Sequence, residues 1–579
     1  MSHLSIDTVV TPPEWAMLER LLIDAQVEAI AEFQTKYFDS RGYLLCIPRW
    51  GGNDGPDDAA ENMLNWTVLY ALGADRAVLD RYRVCWEGHL QQYTEAKTVE
   101  VEMARDGMYY KEFPVMFDWY HHGEWLSSFI LEGLADPGDR IYNERLRRFA
   151  GLYMNEDPQA KNYDPEHKII RSLFNGSRGP LLRKATALDW AGDPVEIEGR
   201  FRPGHGEGTF AQMLDHFKDY NDVVGDHPLN LGATTLGFNA YALTGESKYR
   251  DWMLEYTDAW VERTKANNDL IPSNIGLDGT IGGEADGKWY GGCYGWGFSV
   301  INPANGEWSH RPACLSRTHY SFANALLMTG DFSYLELWRK TIDIINSNAK
   351  EIDGQTQYPR GYGDDGWYEY KPEPFSTGAF ETYYWSQDPA DRERAGSNPW
   401  QNYLDGKDDS YAVKALHCDL SRLQTKRAML ANDLSTPDCR MSDDMNRINP
   451  ATTDALIRLM LGGLPTGRDG YPLHCRVRYF APDRQRSGLP EDVAALVTSM
   501  DADSTTIELV NLNQVTARQV IVQGGAYGEH QITSASTGGE TASIDDRFFS
   551  VDLAPASGCE IKIGMKRYAN SPTLAFPWS

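Results

Sequence analysis

The hydrophobic and polar positions along the chain fall into two regimes that change over near residue 470. Before it, four stretches repeat one plan: an apolar helix, a short glycine-bearing turn, and a second helix with charges on one face. They are 62–90, 121–154, 227–264 and 314–345. A helix that is apolar nearly all round is predicted to be buried, with its one-sided partner outside it. Gly73, Gly133, Gly245 and Gly330 are predicted to mark the turns, because a residue that tolerates positive φ ends a helix without strain. Further helices are predicted over 12–36, 164–174, 411–432 and 448–463. The whole is about a dozen helices in about six hairpins.

Beyond residue 470 apolar and polar residues alternate, as in Leu473–Phe480, Val493–Val497, Thr506–Val510, Val520–Val522 and Glu560–Ile563. Clusters of Gly, Asn, Asp and Ser separate these runs, which is the grammar of strands and turns. The predicted organisation is a mainly helical domain over 1–465 and a small antiparallel β-domain over 470–579.

Charge narrows the partners. Fifty-five Lys and Arg stand against 83 Asp and Glu, a net charge of −28, which repels nucleic acid and anionic membranes. No apolar run approaches the ~20 residues of a membrane helix. The start, Met1-Ser-His-Leu-Ser, lacks a basic region followed by an apolar core, so a cytoplasmic protein is expected, or a periplasmic or secreted one if a leader has been trimmed. The eight cysteines show no zinc-ribbon spacing and are expected to be buried free thiols. The aromatic residues, 17 Trp, 31 Tyr and 20 Phe, suit a large core and also a cleft that stacks on sugar rings.

The repeated hairpins followed by terminal strands resemble the (α/α)6 toroid, or six-hairpin, superfamily of carbohydrate-active enzymes, in which the β-part is a sandwich. That superfamily holds glycoside hydrolases, polysaccharide lyases and sugar epimerases, and the resemblance spans essentially the whole chain. It implies one funnel ringed by the starts of the inner helices. Eleven residues before each turn glycine lie Asn62, His122, Thr234 and His319, with His121, Glu124, Asp226, His227, His310 and Arg311 close by. Buried apolar helices do not carry such groups without a use or a hydrogen-bond partner.

Three further stretches concentrate chemistry. Residues 107–124 combine Tyr109, Tyr110 and Tyr120 with His121, His122, Asp118 and Glu124. Their His-His-x-Glu lacks the i, i+4 spacing of a helical zinc motif, so neither metal nor other cofactor is expected. Residues 166–184 gather His167, Arg171, Asn175, Arg178, Arg183 and Lys184. The turn Asn175–Pro180 is expected to expose Asn175 and Arg178 together as a clamp for a carboxylate. Two loops, 278–297 with Trp289 and Tyr290, and 358–370 with Arg360, Tyr362 and Trp367, are expected to line a cleft.

A toroid that binds sugars accommodates several reactions. β-Elimination beside a uronate needs a carboxylate neutraliser, a base and an acid, and is the favoured expectation. Asn175 and Arg178 would neutralise, Tyr110 or His122 would move the proton, and His319 would assist from the opposite wall of the funnel. The substrate would be an acidic oligosaccharide or polysaccharide held by Asn62, His121, Glu124, His227, Arg311, Trp289, Tyr290, Arg360, Tyr362 and Trp367. Inverting hydrolysis needs two carboxylates ~6.5–9.5 Å apart, with Asp118, Glu124, Asp226, Asp278, Glu284 and Asp364 available and no pair standing out. Epimerisation, as the resemblance implies, would use His122 and His319. A glycan-binding protein without catalysis is the remaining alternative.

Overall fold

Apolar residues at helical spacing after Pro13 form α1 (Glu14–Tyr37), which buries Trp15, Leu22, Ile23, Ile30 and Phe33 along one side. The structure is a computed structural model that describes residues 2–51, 54–194, 209–218, 224–291, 299–301, 308–310 and 318–579. A short helix α2 (Pro56–Glu61) leads into α3 (Trp66–Leu72) and α4 (Arg76–Glu95). Then come α5 (Trp119–Ala135) with α6 (Arg140–Gly151), and α7 (Thr234–Thr244) with α8 (Ser247–Ala266). They are followed by α9 (Thr318–Thr329), α10 (Glu336–Ser347), α11 (Ala379–Ser386), α12 (Tyr411–Asn432) and α13 (Asp454–Leu461).

The inner and outer character read from the sequence is visible in the burial. Every residue of α3 is buried, whereas α4 buries one face through Val78, Leu79, Tyr82, Cys85 and Trp86. Aspartate side chains at Asp75, Asp118 and Asp139 accept first-turn amides and so start α4, α5 and α6. Contacts run from α3 to α5, from α5 to α7 and from α7 to α9. The ring of His319 in α9 lies 5.8 Å from Trp385 in α11, and Tyr384 of α11 donates to the carbonyl of Gly462, just past α13, at 2.7 Å. Helix α13 returns to α3, while α1 packs on α4 and α12.

Three expectations need correction. Gly73, Gly245 and Gly330 do end helices at φ of 124°, 70° and 72°, but Gly133 lies inside α5. A Cβ there would meet the Tyr142 Oη and a Leu574 methyl at 2.7 Å, so these two side chains would have to give way, and the turn falls at 136–139. The helix expected over 164–174 is instead the strand pair Tyr163–Asp164 and Ile169–Ile170, because Pro165 interrupts the run and Lys168, at φ 52°, reverses the chain. The six described cysteines are free, but Cys418 and Cys439 are exposed rather than buried.

The alternating runs after residue 470 form two five-stranded sheets. One orders the strands His3–Ile6, Phe548–Leu553, Arg518–Gly524, Val477–Ala481 and Arg486–Ser487. The other orders Val493–Met500, Ser504–Asn511, Gly558–Lys566, Gln531–Thr537 and Glu540–Asp546. The first strand comes from outside 470–579: residues 3–6 pair with 550–553, with His3 opposite Ser550 in parallel register. Four alternating residues are too few to read as a strand without their partner. Strand Val493–Met500 rests on α1 and α13, and Glu19 accepts the Ala495 amide at 3.2 Å. Among the described residues no helix is long and apolar enough to cross a membrane.

The packing role of Gly133 is directly testable. Gly133→Ala should lower stability by about 1–3 kcal/mol, the usual cost of overpacking a core. Adding Tyr142→Phe, which removes one of the two atoms in the way, should recover part of that loss in urea denaturation.

Candidate active site at the start of α5

Asp118 organises the start of α5. One carboxylate oxygen accepts the amides of Tyr120 and His121 at 2.7 and 3.1 Å, and the other lies 2.8 Å from His121 Nδ1. The imidazole is thereby held in orientation through its Nδ1. Phe117 stacks on His121 at 5.5 Å and on Trp50 at 4.4 Å, which holds the ring from below.

One helical turn on is Glu124, and α2 supplies Asp57 and Glu61, spaced i, i+4 on one face. Asp57, His121 and Glu124 each offer a ligand atom within 4.8 Å of the other two. Arg468 closes the cluster from outside. Its Nη1 lies 3.3 Å from both Glu61 oxygens and its Nε 3.2 Å from Glu124. Its side chain is 48% exposed, against 4% for each glutamate, so the guanidinium is the solvent-facing member. Asn446 donates to Glu61 from the side at 3.1 Å.

Two glycines put Arg468 there. A Cβ on Gly123 would stand 2.5 Å from the Asp469 carbonyl, and one on Gly470, at φ 71°, would stand 2.6 Å from the Gly123 carbonyl. Only bare backbone allows that approach.

Burial and mutual repulsion set the protonation. Burial, then the nearby Glu124, pushes Glu61 up to about 8. Burial raises Asp57 to about 7 although His121 pulls it the other way. His121 is lowered by burial, yet Asp118 and Asp57 outweigh this and raise it to about 10. Burial also works against ionised Asp118, but His121 holds that carboxyl below the usual range. Protonated and ionised groups therefore sit side by side near neutral pH, as acid–base chemistry requires.

The other residues singled out in the sequence are dispersed. Asn62 is the C-cap of α2 and donates to Ser442 O at 2.8 Å. His122 is buried, with Nε2 3.0 Å from the Asn175 carbonyl. His319 is buried among Tyr320, Trp338 and Trp385, and neither ring nitrogen has a hydrogen-bond partner. Asn175 is buried rather than exposed beside Arg178: its amide donates to Ser172, Leu173 and Asn230, and its oxygen accepts from Tyr153 at 2.6 Å. Arg178 lies over the Tyr110 ring at 4.4 Å, and Tyr110 donates to Gln159 at 2.8 Å. His227 caps the turn before α7, accepting the Leu229 amide, and Asp226 is filled by four donors, including Asn230 and Tyr256. Arg360 is engaged with backbone carbonyls of its own loop. Trp289, Tyr290, Tyr362 and Trp367 do meet, Tyr362 lying 5.0, 5.3 and 5.1 Å from the other three. Arg311 lies outside the described residues.

Asp57, Glu61 and Arg468 were not singled out in the sequence. Their signals were the acidic i, i+4 pair in Pro56-Asp-Asp-Ala-Ala-Glu61 and the lone cation in Gly467-Arg-Asp-Gly470.

This helical region, with its buried acid–base cluster, matches a family model. The chain belongs to the family described as a domain of unknown function, DUF8034, which matches residues 4–397. No curated protein matches it. Among solved structures it is similar to the cellobiose 2-epimerase from Bacillus thermoamylovorans B4167, at TM-score 0.36 and 10% identity over 63% of this chain and 81% of that one. The cellobiose 2-epimerase from Spirochaeta thermophila DSM 6192 gives 0.36 and 12% over 66% and 83%, and a D-mannose isomerase gives 0.33 and 12% over 70% and 86%. Likenesses this remote carry no weight for the chemistry, which rests on the geometry of the cluster.

Two outcomes follow. Gly123→Ala should push the 467–470 segment off α5 and part Arg468 from Glu61 and Glu124, with a loss of stability of about 1–3 kcal/mol in denaturant titration. His319 supplies a pH test. Burial lowers it to about 3 from an ordinary 6.5, so below 6.5 the unfolded chain takes up a proton that the folded chain refuses. Its contribution is complete above pH 6.5 and is lost progressively toward pH 3. Relative to His319→Gln, the wild type should therefore lose about 1.4 kcal/mol per pH unit between roughly pH 6 and 4, measured by urea midpoints.

Proposed function

We propose that this chain is a carbohydrate-active enzyme, a glycoside hydrolase on an (α/α)6 toroid, with its catalytic centre at Glu61, Glu124 and Arg468. The toroid reading is supported by the succession of buried helices α3, α5, α7, α9, α11 and α13 that returns to α3. A sandwich of the two five-stranded sheets would complete the architecture.

The observation that carries the reaction is a single half-exposed guanidinium shared by two buried glutamates at 3.3 and 3.2 Å. Glu61 keeps its proton to about pH 8 and is the candidate acid for the departing glycosidic oxygen. Glu124, ion-paired with Arg468, is the candidate base that takes a proton from the attacking water. Arg468 stabilises whichever carboxylate is charged as the proton moves. The faces of Trp289, Tyr290, Tyr362 and Trp367 supply platforms for sugar rings. β-Elimination has weaker support, because the Asn175 amide is fully used inside the protein. Two-histidine epimerisation has less, because His122 packs on Phe113 and Trp119 and bonds to Asn175, whereas His319 packs among Tyr320, Trp338 and Trp385.

A panel of neutral and acidic oligosaccharides tests this, followed by reducing ends, by ultraviolet absorbance of unsaturated uronates and by the configuration of free sugars. Hydrolysis should give reducing ends without absorbance. Glu61→Gln keeps the shape of the side chain and should lower kcat ~10²–10⁴-fold, the range of a lost acid–base group, with little change in Tm. Absorbance rising with reducing ends would replace hydrolysis by elimination, and interconversion of sugars without bond cleavage would replace it by epimerisation.

A further inference from the structure

We propose that Asp57, His121 and Glu124 bind one divalent cation of borderline character, Zn²⁺ or Mn²⁺. The proposal concerns binding and goes beyond the reaction assigned to Glu61. The sequence argued against a metal because His121 and Glu124 lack the spacing of a helical zinc motif. The structure supplies the third donor from another helix: α2 faces the start of α5 and brings Asp57 to the pair.

Donor chemistry and support agree. One imidazole and two carboxylates suit Zn²⁺ or Mn²⁺; binding displaces the proton that His121 holds, leaving a neutral imidazole and two carboxylates that balance a charge of +2. His121 Nδ1 is bonded to Asp118, an arrangement that fixes the ring and makes the other nitrogen the better ligand. His121 and Glu124 share one face of α5 through their i, i+3 spacing. All three donors stand on helices, which position ligands more rigidly than loops. The independent observation is Asp57. Its residue is 2% exposed, and no other described residue donates a hydrogen bond to its carboxylate. A buried carboxylate whose donor is its own backbone N–H alone is costly, and a cation relieves that cost.

Size is compatible as well. Donors ~2.0–2.2 Å from a cation stand at most about 4 Å apart. From the present limit of 4.8 Å, closure takes side-chain shifts below about one ångström. Three protein donors leave coordination positions open to water, and Glu124, while it ligates the cation, is not free to act as the base proposed above.

The test is calorimetric titration of the chelator-stripped full chain with ZnCl₂ and MnCl₂, with Mn²⁺ binding followed also by electron paramagnetic resonance. One equivalent should bind, and either cation should raise the Tm of the stripped wild type. Asp57→Asn and His121→Ala should each weaken binding at least ~10-fold. Arg178→Ala, on the Tyr110 ring and apart from the trio, should bind as the wild type does. The wild-type titration and melt decide the matter even if a buried variant fails to fold. Absence of saturable binding by the wild type, or unchanged binding by a folded Asp57→Asn, overturns the proposal. Cation binding together with full activity of Glu61→Gln would overturn the hydrolase reading alone, whereas loss of activity in Glu61→Gln without cation binding would overturn the cation site alone.

Discussion

The backbones that meet at Gly123 and Gly470 leave no room for a side chain, and the site depends on that contact. Helix α5 brings Asp118, His121 and Glu124; the segment after α13 brings Arg468; α2 brings Asp57 and Glu61. Without the close approach, the guanidinium would stand farther from the glutamates, and their charges would lack the cation that faces them. A packing constraint among atoms with no chemistry of their own thus governs an electrostatic arrangement.

The arrangement is polar in a place where water is scarce. Burying ionised carboxylates is unfavourable, and the cluster answers in two ways. Some groups are paired, as Asp118 is with His121 and Glu124 with Arg468. Others hold their proton into the neutral range, as Asp57 and Glu61 do. In the loops nearby, buried Asn175 and Asp226 are satisfied by the protein's own donors and acceptors.

The sequence carried the helical plan because periodicity is a local property. The hairpin turns at Gly73, Gly245 and Gly330 were legible for the same reason, since a positive φ is a demand made by the turn itself. Gly133 was misread because its demand is tertiary: the obstacle is Tyr142 and Leu574, which no local pattern reveals. The site was half legible. His121, Glu124 and Asp118 lie within seven residues and were marked by density alone. Asp57, Glu61 and Arg468 join them only through packing, and Arg468 sits in a glycine-rich run that reads as plain connection. Buried Asn175 and exposed Cys418 erred in opposite directions, because composition near a turn or within a helix does not report which face is covered.

The strand His3–Ile6 runs beside Phe548–Leu553, so residues 3–6 cannot pair until residues 548–553 have been made. Until then the first sheet has an unpaired edge and α1 lacks the strand Val493–Met500 that covers it. The helices have local partners and can gather early, whereas the sheets need pairings between distant segments and close late. The sheet is therefore closed like a clasp: cutting the chain before Phe548–Leu553 would release the strand His3–Ile6 as well.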